Sequence, residues 1–161
     1  MPEIIRRPYL ERLESGRDRT DVVKIITGMR RSGKTVLMRQ FIRRLIGSGV
    51  PEDNIVYMNF ESRAWEHIVT HSDLLDHISS LETIGRIYVF LDEIQRVRSW
   101  EKAVNSLQVD SDADIYITGS NAYLLSSELS TYLSGRFMEL RILPLSFSEF
   151  LELHHGEKDR R

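Results

Sequence analysis

Gly28-Met29-Arg30-Arg31-Ser32-Gly33-Lys34-Thr35 follows directly on the β-branched run Val22-Val23-Lys24-Ile25-Ile26-Thr27. The eight residues fit G-x-x-x-x-G-K-[ST], a loop whose backbone N–H groups cradle the phosphates of a nucleotide. The physics is a concave run of N–H donors at a helix N-terminus, where the helix dipole also favours an anion. Gly28 and Gly33 are expected to supply turn angles and a close backbone approach that a Cβ would obstruct. Lys34 would reach the β and γ phosphates as a mobile point charge, and the Thr35 hydroxyl would join a Mg²⁺ shell. The expected nucleotide contacts are therefore Gly28, Arg31, Ser32, Gly33, Lys34, Thr35 and Val36. For Arg30 and Arg31, solvation on the outside of the loop competes with contact to the phosphates.

Outward from the loop, strand and helix patterns alternate. Tyr9, Leu10 and Leu13 have the spacing of a short amphipathic helix after Pro8, stopped by Gly16. Residues 34–47 read as a helix with Val36, Leu37, Phe41, Ile42 and Leu45 as its buried stripe, ended by Gly47-Ser48-Gly49 and Pro51. Strands are expected at 55–60, 87–91, 115–118 and 137–142. Helices are expected from an Asp73 N-cap to about Leu81, from a Ser99 cap through 100–109, and over 121–129. Ser146 with Glu149 forms a capping box, and Leu145 against Phe150 a staple, at the last helix. Ile87-Tyr88-Val89-Phe90-Leu91 is apolar throughout, as a central parallel strand covered on both faces should be. The fold class that follows is α/β, a three-layer fold with a mostly parallel sheet of five strands and right-handed crossovers.

The whole chain limits the function classes. Its 161 residues suit one domain with a full core, and 41% hydrophobic with 29% charged residues is ordinary for a globular protein. A net charge of −2 gives no global basic footprint, so nucleic acid stays open as a partner without support from charge. There is no cysteine, hence no disulfide framework, and this fits a reducing compartment. No apolar run has membrane-spanning length and the N-terminus has no signal-peptide core, so a cytoplasmic protein is expected. The charged end 157–161 has no natural stop, which points to the N-terminal part of a longer protein.

In a parallel sheet, ligands bind outside the carboxyl ends of the strands. The first strand ends at the loop, the third at Asp92-Glu93, and the fourth at Thr118-Gly119-Ser120-Asn121. Asp92 is placed to hold Mg²⁺, directly or through water, and Glu93 to polarise an attacking water. Ser120 and Asn121 are candidates for sensing the γ-phosphate, with plain helix capping as the competing explanation. Arg136, before the fifth strand, is a candidate cation for transition-state charge, acting in cis or from a neighbouring subunit. A surface arginine is the alternative. Other features carry less. His67 and His71 lack the glutamate of H-E-x-x-H, His154-His155 cannot share one helix face, and Trp65 and Trp100 read as packing residues. Leu133-Ser134-Gly135 begins like a transporter-ATPase signature but follows the acidic strand instead of preceding it.

Taken in order, these stretches resemble the AAA-superfamily ATPase domain of the archaeal and bacterial AAA_14 type that precedes a DUF4143 partner domain. The resemblance rests on residues 26–35, Phe90-Leu91-Asp92-Glu93-Ile94-Gln95, Thr118-Gly119-Ser120-Asn121, Leu133-Ser134-Gly135-Arg136, and Pro144-Leu145-Ser146-Phe147-Ser148-Glu149-Phe150. The lead-in Arg7-Pro8-Tyr9-Leu10 adds to it. It implies a P-loop NTPase core in which one strand separates the glutamate-bearing strand from the loop strand. It also implies ATP with Mg²⁺, Glu93 as catalytic carboxylate, a sensor role for 118–121, and a γ-phosphate role for Arg136. Members usually continue into a helical or winged-helix region and a C-terminal domain absent here, with homo-oligomers or protein partners possible for the whole.

Three functions stay in play. An ATP-hydrolysing switch or motor is favoured by Asp92-Glu93. A small-molecule kinase on the same scaffold would need an acceptor pocket and usually no water-activating glutamate. A regulatory module with negligible turnover would bind ATP or ADP and act through a partner. GTP-specific switching lacks its Asn-Lys-x-Asp base-reading motif.

Overall fold

The computed structural model describes residues 3–119 and 131–158. Among the described residues, ten α-helices and strands run in the order α1 (Arg7–Ser15), β1 (Val23–Gly28), α2 (Lys34–Gly47), β2 (Ile55–Asn59), α3 (His71–Ser79), β3 (Ile87–Asp92), α4 (Trp100–Asp110), β4 (Ala113–Thr118), β5 (Phe137–Ile142) and α5 (Phe147–Lys158). The strands form one sheet in the order β2-β3-β4-β1-β5, and every pairing is parallel. The sheet is thus wholly parallel, and β4 separates β3 from the loop strand β1, as the resemblance implied.

Side chains alternate across the strands and so divide the core into two layers. Ile25, Val89, Leu91 and Ile115 face a layer closed by Leu74, Ile78, Trp100, Val104 and Leu107 of α3 and α4. Ile26, Tyr88, Phe90 and Tyr116 face the other, closed by Leu10 and Leu13 of α1 and Leu37, Met38, Phe41 and Leu45 of α2. Phe90 and Tyr116 stack there at 4.7 Å, and Phe41 packs 5.3 Å from Tyr116. Covering both faces explains why β1, β3 and β4 are buried at every position.

Three local expectations shift. On α2 the buried stripe includes Met38 and Gln40, while Val36 is exposed and Ile42 only half-buried. The first turn of α2 looks into a cavity beside the loop, so the stripe starts one residue later. At α3 the N-cap is Thr70, not Asp73: the Thr70 hydroxyl accepts from Asp73 N–H while the Asp73 carboxylate accepts from Thr70 N–H. Asp73 is the third helical residue of a reciprocal capping box, so the cap lies three residues before the expected one. Ser99 precedes α4 in a left-handed conformation with φ 57 and gives no side-chain cap. The box of Ser146 with Glu149 forms as expected. The helix expected over 121–129, with Ser120 and Asn121, lies outside the described residues.

Candidate functional site

The loop leaves β1 at its carboxyl end and runs straight into α2. Its two glycines serve different needs. Gly33 has φ 96, a region that side chains resist. Gly28 needs space instead of an unusual turn angle. A Cβ there would lie 2.6 Å from Ser32 Oγ and 2.7 Å from the carbonyl oxygen of Ile142. Arg31 also takes a left-handed conformation, φ 65, and it lines a different cavity from its neighbour Arg30. The first turn of α2 has no side-chain cap, so its N–H groups remain for a ligand. Ser32 Oγ is buried without a hydrogen-bond partner.

Lys34 is buried and folds back over the loop, its Nζ donating to the carbonyls of Gly28 and Met29 at 3.0 Å each. Its neighbour Thr35 reaches the acidic strand: Thr35 Oγ1 donates to Asp92 Oδ2 at 2.7 Å. That bond puts loop and third strand in one site. Asp92 is fully buried, and two more hydroxyls meet it, Thr118 Oγ1 at 2.5 Å on Oδ1 and Tyr57 Oη at 3.2 Å on Oδ2. Burial, and then the charge of Asp92, push the Tyr57 phenol above its usual pKa, so it remains a donor. The ring of Tyr57 in turn lies 5.8 Å beneath the Arg39 guanidinium.

Glu93 leaves β3 in a left-handed conformation, φ 58, with its N–H donated to Thr118 Oγ1 at 3.0 Å. Turned out of line with Asp92, its carboxylate lines a cavity of about 220 Å³ together with Arg30, Lys34, Glu61, Gln95 and Arg96. A second cavity of about 420 Å³ opens on the other side of the loop. Arg31, Ser32, Gly33 and Val36 bound it on one flank, and Ile4, Leu37, Gln40 and Leu145 make much of the rest. Arg6 joins this flank together. Its guanidinium donates to the Ser32 and Leu143 carbonyls and pairs with Glu149 at 3.0 Å.

The structure therefore gathers Gly28, Arg31, Ser32, Gly33, Lys34, Thr35, Val36, Asp92 and Glu93 at one edge. Ser120 lies outside the described residues. Arg136 is exposed at the opposite edge, where its carbonyl accepts from Val23 N–H at the start of β1. At roughly 3.3 Å per residue, the six residues of β1 put it some 20 Å from the loop of its own chain. Sequence reasoning passed over Tyr57, Arg6 and Gln95. The first two meet the site through cross-strand register and a long-range contact, which have no local signal. Gln95 stood inside the quoted acidic stretch without a role.

The donor set fits a magnesium–nucleotide complex. A hydroxyl and a carboxylate are hard oxygen ligands, and a partnerless Ser32 hydroxyl beside uncapped helix N–H groups suits a phosphate. No group of three or more His, Cys, Asp or Glu that would hold a metal by itself occurs among the described residues. None of their helices is long and apolar enough to cross a membrane.

Comparison with known proteins agrees with this architecture. An uncharacterized protein of Haemophilus influenzae is 45% identical over 160 residues, which is 98% of this chain and 40% of that protein. An uncharacterized protein of Methanocaldococcus jannaschii is 38% identical over 141 residues, 86% of this chain and 30% of its own length. The chain thus spans less than half of these relatives. A DNA polymerase III gamma subunit-related protein from Thermotoga maritima shares the fold, with a TM-score of 0.60 at 16% identity over 90% of this chain and 48% of that one. The AAA_14 family, described as an AAA domain, matches residues 20–151. A nucleotide-binding, ATPase-type core is what that match and the loop geometry have in common, and the chain belongs to the AAA domain family.

Proposed function

We propose that the carboxyl edge of the sheet binds Mg-ATP and hydrolyses it, and that this domain is the nucleotide-driven switch or motor of a larger protein. The observation that carries the reading is the 2.7 Å bond from Thr35 to Asp92, which joins the phosphate loop to the acidic strand with Lys34 beside it.

Each residue has a task that follows from its place. The uncapped N–H groups of α2 and the partnerless Ser32 hydroxyl take phosphate oxygens. Lys34 exchanges two backbone carbonyls for the β and γ phosphates, so that both partners of the contact are charged where before only the lysine was. Thr35 and Asp92 would hold Mg²⁺, which when bound neutralises charge on the phosphates. Thr118 and Tyr57 keep the Asp92 carboxylate aimed by donating to it. Glu93, turned into the cavity of about 220 Å³, is the base that takes a proton from the attacking water. The larger cavity, walled by Ile4, Val36, Leu37 and Leu145, suits the flat apolar faces of a purine, and Arg31 lies at its loop side. Arg136 lies at the edge of the sheet opposite its own loop, so its charge would serve a nucleotide held by a neighbouring copy. Ser120 stays the proposed γ-phosphate sensor, after the strand that supplies Thr118.

Phosphate release tests the assignment. Mg-ATP turnover is expected in the parent, abolished in Lys34→Ala along with binding, and cut to a small residual rate in Glu93→Gln with binding kept. Equal turnover in Glu93→Gln and the parent would remove that glutamate from the chemistry. ADP formed only with an added acceptor, with the phosphoryl group on that acceptor and no free phosphate, would make the domain a kinase. Binding without release would make it a regulatory module.

A further inference from the structure

Gln95 lies in the same cavity as Glu93, and its two amide atoms are in opposite conditions. Its Nε2 donates to Glu93 Oε2 at 2.5 Å. Its Oε1 is buried and accepts no hydrogen bond. Turning the amide over would not relieve this, since it would set two acceptor oxygens against each other. The arrangement is built by the backbone. Glu93 in its left-handed conformation and the tight turn at Ile94–Arg96 bring the two side chains together, while Ile94, fully buried, anchors the turn. Arg96, the adjacent cation, is paired with Glu61 at 3.5 Å. A buried carbonyl oxygen left without a donor is costly, and such groups gather where a ligand or water completes them.

We propose that Gln95 is a positioning residue for hydrolysis, one that fixes the Glu93 carboxylate with its N–H and directs the attacking water with its Oε1. The proposal rests on the ATPase reading and deepens it. A water that hands one proton to Glu93 has a second hydrogen, and Gln95 Oε1 is the acceptor waiting for it. With both hydrogens directed, the free lone pair of the water faces the γ-phosphorus. The oxygen of the water then bonds to phosphorus, and the bond from phosphorus to the bridging oxygen breaks with its electron pair left on ADP. One proton passes to Glu93, and the other stays on the new phosphate. Gln95 donates and accepts no proton itself; it restricts the approach to a productive one.

The test compares Gln95→Met, close in volume but without the amide, with the parent, with Glu93→Gln, and with the double variant. Steady-state phosphate release gives kcat and KM, and thermal melting reports folding. Gln95→Met is expected to lower kcat by about 10- to 100-fold while KM stays within about twofold and the melting temperature holds. If Gln95 works through Glu93, adding Gln95→Met to Glu93→Gln slows the reaction by less than about threefold more. A Gln95→Met enzyme as fast as the parent, or faster, overturns the proposal, as does a loss that falls on KM. So does a double variant that loses the full factor again. A parent that binds Mg-ATP but releases no phosphate fails the ATPase reading, and the proposal with it. A parent that hydrolyses ATP while Gln95→Met matches it fails the Gln95 assignment alone.

Discussion

Each end of the sheet has a buried lysine and a buried aspartate, and the two ends use them in opposite ways. At the amino end, Lys24 of β1 and Asp114 of β4 are fully buried and paired at 2.5 Å. Asp114 also accepts from Tyr116 Oη at 2.9 Å and from Asp18 N–H at 2.8 Å, while Lys24 Nζ donates to the Arg19 carbonyl. Burial lowers the Lys24 pKa, and Asp114 opposes that. Burial, then the charge of Asp114, raises that of Tyr116. Every charge there has its complement, and the result ties the α1–β1 connection to the sheet. At the carboxyl end, Lys34 rests on backbone carbonyls and Asp92 on hydroxyls, and among the described residues the two do not pair. A cation and an anion kept apart, beside a partnerless hydroxyl, leave unused charge for a ligand of both signs such as Mg²⁺ with a polyphosphate. The same residue types are structural where they satisfy each other and available where they do not.

That contrast predicts opposite phenotypes. The largest effect should come from Asp114→Ala, which strands a buried ammonium and should cost about 3–5 kcal/mol of stability by chemical denaturation. Its counterpart Asp92→Asn keeps one acceptor oxygen, and a hydroxyl that meets its N–H₂ can turn to accept, so stability should change by less than about 1 kcal/mol. It should nevertheless lose Mg-dependent ATP binding by about 100-fold, roughly 2.7 kcal/mol in a titration. If Asp92→Asn unfolds the domain and Asp114→Ala does not, the assignment of the two ends is reversed.

Replacing the whole amino-end pair sharpens the point. Lys24→Met with Asp114→Leu should lie within about 2 kcal/mol of the parent, well above Asp114→Ala, because a buried pair is replaceable as a unit. ATP affinity should be unchanged in the double variant. Smaller still is Thr70→Ala at the α3 cap, with about 1 kcal/mol lost in a melt. The Asp73 carboxylate in that cap is held below its usual pKa, first by the backbone N–H of Thr70. Its contribution is therefore present above the unfolded carboxylate range and lost as pH falls through the lower folded value. Asp73→Asn should flatten the acid side of the melting-temperature profile below about pH 4.

Much of the fold was legible because its signals are local. The unbroken apolar run 87–91 announced a strand covered on both faces, and the glycines, lysine and threonine of the loop announced where the first strand ends. Turn angle and close approach are both expected of the loop glycines, but only packing shows that Gly33 serves the first and Gly28 the second, against Ser32 and Ile142. Val36 was assigned to the core because helical period cannot tell a core-facing turn from one facing a cavity. Thr70 was missed because Thr70-His71-Ser72-Asp73 offers three capping residues in four, and only geometry picks one. The hydroxyl shell of Asp92 draws on β2, β4 and α2, so it depends on the register of strands far apart in sequence. The carboxyl-edge rule named the right end of the sheet but not the partners found there.

One measurement bears most directly on the claim that the separated charges form the nucleotide site. Calorimetric titration with Mg-ATP should give one site per chain in the parent, the same affinity in Lys24→Met/Asp114→Leu, and a loss of at least about 100-fold in Lys34→Ala. Undiminished binding in Lys34→Ala, or loss of binding only when the Lys24–Asp114 pair is replaced, would contradict it.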